Sequence, residues 1–157
     1  MIHGFAHANR GGVEKIPKLI VYKPAKKYSN SGLSEEEIKL IVAKLGEVME
    51  KQRLYLDPEI TMDKLAEMIN CSRHHLSQVL NGGLQKSFYD YINACRVEEA
   101  KILLSDIARA NYKISSIAYD AGFNSLSAFN EVFKKLTSVT PSQYRKQPAE
   151  QSRKQRV

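Results

Sequence analysis

At 157 residues the chain is long enough for one substantial hydrophobic core but not for two large domains, and no run of 18 or more apolar residues offers a membrane span. Cys71 and Cys95 are its only cysteines and form no C-x-x-C pair, which supports neither a disulfide framework nor a zinc knuckle. The net charge of +7 sits at the ends: residues 1–33 hold six Lys/Arg against one Glu and residues 145–157 five against one, whereas the thirteen basic residues between them meet fifteen acidic ones. Basicity placed this way raises the odds of a polyanion partner only modestly. The N-terminus lacks the basic-apolar-small order of a secretory signal, so a soluble, cytoplasmic location is expected.

Residues 1–33 contain Gly-Gly and two prolines but no sustained periodicity, and read as a flexible basic leader in which "KLIVY" has the composition of a short strand. The pattern turns helical at "SEEE", where Ser34 is an N-cap with Glu37 three residues on, and Ile38, Ile41, Val42, Leu45 and Met49 follow on one face to about Arg53. "LDPEIT" breaks this helix at Pro58 and offers Thr61 as the next cap. A short helix through Met62, Leu65, Ala66 and Ile69 is followed by a tight turn at Asn70-Cys71, a helix capped by Ser72, and "NGG" as its end. Ser87 with Asp90 opens a longer helix to about Ser105 that turns Phe88, Tyr91, Ile92, Cys95, Ala100, Leu103 and Leu104 inward. The loop "DIARANYK", a second short helix-turn-helix from Ile114, and "TPSQYR" as a final turn of helix complete the pattern. The spacing predicts an all-α fold of about seven helices, with a domain over 34–146 and a basic disordered tail over 147–157.

The same scheme occurs twice. Met62, Leu65, Ala66 and Ile69 correspond to Ile114, Ile117, Ala118 and Ala121, and Ser72, Leu76, Val79 and Leu80 to Ser125, Phe129, Val132 and Phe133, with the second turn one residue longer. The small Ala at one position in each first helix suits two helices that cross steeply over a short turn. This is the helix-turn-helix unit, whose second helix can enter a DNA major groove.

Helical phase separates the adjacent His74 and His75. With Leu76, Val79 and Leu80 inward, His74, Ser77, Gln78 and Asn81 cluster outward and Arg73 and His75 fall at the flanks. Neighbouring helical residues cannot readily chelate one ion, and no carboxylate at three or four residues' spacing stands ready to orient either ring. In the second copy Phe129, Val132, Phe133 and Leu136 turn inward and Ser127, Asn130, Glu131 and Lys134 outward. Faces of Gln, Asn, Ser and Glu can exchange hydrogen bonds with base edges. An ordinary solvated face is the alternative for one copy; two copies in phase weigh against it.

Taken together, "LAEMINCSRHHLSQVL", "SFYDYINACRVEEAKILL", "IAYDAGFNSLSAFNEVFKK" and "TPSQYR", in that order and spacing, resemble the C-terminal DNA-binding domain of AraC/XylS-type bacterial transcription regulators. The resemblance implies two helix-turn-helix units joined by a long helix, each placing its second helix in an adjacent major groove of double-stranded DNA. It assigns base-facing roles to Arg73, His74, Ser77 and Gln78 in the first unit and to Leu126, Ser127, Asn130 and Glu131 in the second. Leu126, at the edge of its face, either meets a thymine methyl or packs. Phosphate contacts fall to Lys86, Lys134 and Lys135. RNA polymerase, and a sensor domain or partner protein outside this chain, are the further partners implied; the 33-residue leader is too short for a sensing domain, which leaves a stand-alone reader or the output end of a larger regulator. Where the family usually has glycine, this chain has Asn70, Gln85 and Ser138, and the loop between Leu104 and Ile114 is about three residues longer than the common form.

Two other classes are weighed against this reading. A helix-turn-helix protein-interaction module without sequence-specific DNA reading is favoured by the non-basic middle of the chain. An enzyme is disfavoured, because His3 and His7 lack a third ligand and no nucleophile-base pair or phosphate loop is visible; neither catalytic residues nor a metal or other cofactor is expected.

Overall fold

The computed structural model describes residues 32–154; "KLIVY", His3 and His7 lie outside the described residues. Seven α-helices and no strand occur among them: α1 (Glu35–Glu47), α2 (Met62–Met68), α3 (Arg73–Gln78), α4 (Phe88–Ser105), α5 (Ile114–Asp120), α6 (Leu126–Thr137) and α7 (Pro141–Lys154). No described helix is long and apolar enough to cross a membrane.

The caps read from the sequence form as expected. Ser34 and Glu37 make a reciprocal capping box at the start of α1, Thr61 accepts from the Lys64 N–H, and Ser87 accepts from the Asp90 N–H. The two helix-turn-helix units share the same turn chemistry. The Cys71 N–H donates to the Ala66 carbonyl and the Phe123 N–H to the Ala118 carbonyl, both at 3.0 Å, closing α2 and α5 in the same way. Ser72 and Ser125 then cap α3 and α6 by accepting from the N–H groups of His75 and Ala128.

Helices of six or seven residues are too short to stand alone in water, so α2, α3 and α5 exist by packing on something longer. That element is the 18-residue α4. Phe88, Tyr91, Ile92 and Cys95 enter a first core with Leu45, Met49, Leu65, Leu76 and Leu80, while Val97, Ala100, Leu103 and Leu104 enter a second with Ile117, Ala118, Phe129 and Phe133. The sequence pattern missed Ala94 and Val97, which are also buried, because a helix shared between two cores buries more than one stripe. An aromatic series, Phe123–Phe129–Phe133–Tyr144, with ring centroids 5.1, 5.4 and 5.5 Å apart, carries the second core to α7. "TPSQYR" is therefore structural: Thr140 and Gln143 form a capping box, Tyr144 packs on Phe133, and Arg145 donates to the carbonyls of Ala110 and Tyr112.

The structure departs from the sequence reading in several places. Leu136 is 47% exposed instead of inward, because Phe133 and Tyr144 already close that side of the core. Both α1 and α3 run on into wide turns, Val48–Gln52 and Val79–Gly83, the second closed by Leu84 donating to the Val79 carbonyl five residues back. The loop after α4 contains a 3₁₀ turn, Ile107–Arg109, started by Asp106 accepting from the Ala108 N–H. The final helical turn extends to Lys154.

Asn70, Gln85 and Ser138, which replace glycine in the family pattern, all adopt left-handed backbone, with φ of 54°, 52° and 65°. The three turns thus take a backbone that suits glycine, and these side chains bear the steric cost. Gln85→Gly and Ser138→Gly are each expected to stabilise the protein by about 0.5–1 kcal/mol, and Asn70→Gly by less because Asn tolerates this region better. Gly122 is the opposite case, with φ of 90° and a Cβ position 2.5 Å from the Tyr55 carbonyl oxygen. Gly122→Ala is expected to cost about 2 kcal/mol or more. Urea unfolding midpoints of the four variants check both signs.

Candidate nucleic-acid interface

The site begins with two serines. Capped by Ser72, α3 sets Arg73 and His74 outward and exposed, with Ser77 and Gln78 half-buried one turn further along. Capped by Ser125, α6 presents Ser127, Asn130, Glu131, Lys134 and Lys135 as an exposed face, with Leu126 at its rim, 36% exposed. Behind the two faces, Leu76, Val79 and Leu80 and then Phe129 and Phe133 are wholly buried, which fixes the rotation of each helix. Seven of the eight sequence-assigned base-facing residues thus present their side chains on the non-core sides of α3 and α6, whereas Gln78 is half-buried with its amide oxygen turned out of solvent.

Hydrogen bonding pre-sets part of the first face. The Asn81 side-chain amide donates to both the carbonyl and the hydroxyl oxygen of Ser77, at 2.9 and 3.0 Å, so the Ser77 proton is directed away from Asn81. Arg73 is held by Asp63 of α2 at 2.6 Å, an ion pair whose side chains are each 65% exposed. A pair so exposed is worth at most about 1 kcal/mol, so Arg73 can exchange Asp63 for another anion at little cost. Sequence reasoning missed this tether because the partners are ten residues apart on different helices.

The two histidines diverge as phase requires. Their ring centroids are 6.1 Å apart and the rings tilted by 50°; His74 is exposed, whereas His75 is half-buried and within electrostatic reach of Glu37 at the start of α1. Among the described residues no group of three or more His, Cys, Asp or Glu is placed to hold a metal ion. The cysteines are packing residues: burial pushes the Cys95 thiol up to about 12 and raises that of half-buried Cys71 as well.

The lysines divide into two positions. Lys134 and Lys135 occupy the last turn of α6, where they also complement the helix dipole. Lys86 precedes the start of α4, its N–H donating to the Leu80 carbonyl at 3.0 Å. The Asp90 carboxyl, held below its ordinary range chiefly by the Ser87 hydroxyl, also feels Lys135 and Lys86. Lys86 and Lys135 thus both lie within electrostatic reach of the first turn of α4.

A family model described as a helix-turn-helix domain matches residues 65–147, from α2 through the first turns of α7. The chain belongs to the AraC-type helix-turn-helix family. Among AraC-type and related proteins, an HTH-type transcriptional regulator of Staphylococcus aureus is 28% identical over 133 residues, 85% of this chain and 17% of that protein. The melibiose operon regulatory protein of Escherichia coli is 29% identical over 128 residues, 82% of this chain and 40% of that one. The chain thus spans well under half the length of these relatives. Two solved structures share the fold: the C-terminal domain of AraT, a response regulator from Geobacillus stearothermophilus (26% identical, TM-score 0.57, 69% of this chain and 84% of that one), and the C-terminal domain of the two-component response regulator yesN from Fusobacterium nucleatum (32%, 0.55, 64% and 93%). In this AraC-type domain a thiol reagent applied to the native protein at neutral pH is expected to modify at most Cys71, with both of its two cysteines reacting only after unfolding. Two fast equivalents in the native state would contradict the packing.

Proposed function

We propose that the chain binds double-stranded DNA sequence-specifically and serves as the DNA-reading part of a transcription regulator, with α3 and α6 entering adjacent major grooves. The observation that carries this reading is the repeat. Two units with the same turn hydrogen bond, the same serine cap and the same buried phase each present a polar, hydrogen-bond-capable face, and one 18-residue helix joins them. At 1.5 Å per residue that helix is about 27 Å long, close to the roughly 34 Å between successive major-groove faces on one side of B-DNA. Family membership and the names of the relatives support the same reading.

In this role the amides of Gln78 and Asn130 suit adenine, Asn130 from an exposed position and Gln78 once its buried amide oxygen turns outward; Ser77 and Ser127 are tolerant hydrogen-bonders, and Glu131 can accept from a cytosine amino group. Arg73 and His74 complete the first face and Leu126 the second. Lys86, Lys134 and Lys135 fix register on the phosphates and carry no sequence information themselves. RNA polymerase and a sensor domain or partner protein are the further partners proposed, and a cytoplasmic location follows from the role.

In binding measured across a selected set of duplexes, Gln78→Ala and Asn130→Ala are each expected to relax the base preference at one or two positions by about 1–3 kcal/mol. Lys134→Ala is expected to weaken every sequence alike and to reduce the slope of log K against log salt by about one. A uniform loss in the Gln78 and Asn130 variants would remove them from direct readout. The second reading, a protein-interaction module, is favoured by the excess of acidic residues over residues 34–144; it gains if selection from a random duplex pool enriches no sequence.

A further inference from the structure

The two units touch each other directly as well as through the body of α4. Gly122, in the turn between α5 and α6, lies so close to the segment between α1 and α2 that a Cβ there would stand 2.5 Å from the Tyr55 carbonyl oxygen and 2.8 Å from the Leu56 Cα. The second unit's turn is therefore seated on the first unit's backbone. Arg96 of α4 closes this seam from beneath. Its Nε donates to the Tyr55 carbonyl at 2.7 Å, its Nη2 donates to the Asp57 carbonyl at 2.9 Å, and its guanidinium lies 5.7 Å from the centre of the Phe123 ring. One turn along α4, Glu99 pairs with Arg53 and accepts from the Tyr55 hydroxyl, holding the same segment a second time.

We propose that Arg96 is a positioning residue that fixes the angle between α3 and α6, and so sets the spacing of the two DNA half-sites the chain accepts. The proposal rests on the DNA-reading function above. Its chemistry is specific to arginine: two donors in a planar fork reach two carbonyls of the first unit while the same cationic group lies over an aromatic ring of the second. A helix alone would let the units swing as it bends, and the seam supplies a second point of attachment off its axis. With two attachments the half-sites are read as one rigid template.

The distance between the units in the free protein tests the clamp, and half-site spacing tests its consequence. Spin labels at Glu67→Cys on α2 and Tyr119→Cys on α5, both exposed positions, can be used with Cys71→Ser, since Cys95 is buried and unreactive. The expected result is one narrow distance in the otherwise native chain and a clearly broadened one in Arg96→Ala. Because one inserted base pair turns a half-site by about 34° round the duplex, the native chain is expected to lose about tenfold or more in affinity for it. Arg96→Ala is expected to keep its base preference within each half-site but to bind both spacings within about threefold. If Arg96→Ala does not fold, Arg96→Lys, which cannot reach both carbonyls, and Phe123→Leu, which removes the ring but keeps apolar volume, are expected to broaden the distance partway. A broad distance in the native chain, or a width and spacing preference unchanged in the folded variants, would overturn the proposal. If no DNA sequence is selected while the distances behave as expected, the DNA-reading function fails and the clamp stands.

Discussion

Half of α4 is buried in one hydrophobic core and half in another, and the rest of the molecule is arranged around that division. Cys95 is the last α4 residue in the first core and Val97 the first in the second. Between them half-buried Arg96 occupies the changeover, where two carbonyls from one unit and a ring from the other come within reach of a single side chain. Both carbonyls belong to half-buried residues and that of Asp57 also accepts from the Ile60 N–H, so what Arg96 adds at this point is chiefly the link between the units. The short helices depend on the same beam: α2 and α3 are ordered because Leu65, Leu76 and Leu80 close over Tyr91 and Ile92, and α5 because Ile117 and Ala118 close over Ala100 and Leu104.

Most of this architecture was legible in the residues because it is local. Caps such as Ser34 with Glu37 and Ser87 with Asp90 act within three residues, and a 3.6-residue period is enough to tell which side of α3 or α6 is buried. The repeat made the second unit a check on the first, so that Ala66 and Ala118, Ser72 and Ser125 could be identified from sequence alone as counterparts. The left-handed turns were legible as positions but not as outcomes. Nothing in the order of residues says whether Gln85 and Ser138 bend to glycine's geometry or change the turn; the packing on either side, Leu80 and Leu84 in one case and Phe133 and Tyr144 in the other, holds the backbone where it is.

What the sequence hid is tertiary. Arg73 meets Asp63, Arg53 meets Glu99 and Arg96 meets Tyr55 and Asp57 across separations that no period encodes. Leu136 continues the apolar stripe of α6 perfectly well, yet the arrival of α7 through Tyr144 fills the space it would have taken. One signal was present. Ile92, Arg96, Glu99 and Leu103 lie on a single stripe of α4, and two charged residues inside a stripe that is otherwise turned to the core mark a place where polar groups must be satisfied internally.

The charge distribution bears on how such a domain would discriminate between sequences. A domain with a broad positive field holds all duplexes tightly through counterion release, and its base contacts then add little to the ratio between right and wrong sites. Residues 34–144 have two more acidic than basic residues, and several acids are committed elsewhere: Glu35, Glu36 and Glu37 to the start of α1, Asp57 to Lys64, and Glu99 to Arg53. The cations left near the candidate interface act only over about 8–10 Å at physiological salt. On the proposed reading they can register a duplex that is already seated but cannot capture one at a distance. Discrimination then falls to the side chains of α3 and α6 and to the geometry between them, and a rigid seam makes that geometry itself a selective feature, because a duplex with misplaced grooves must bend or twist at a cost of a few kcal/mol before both faces engage.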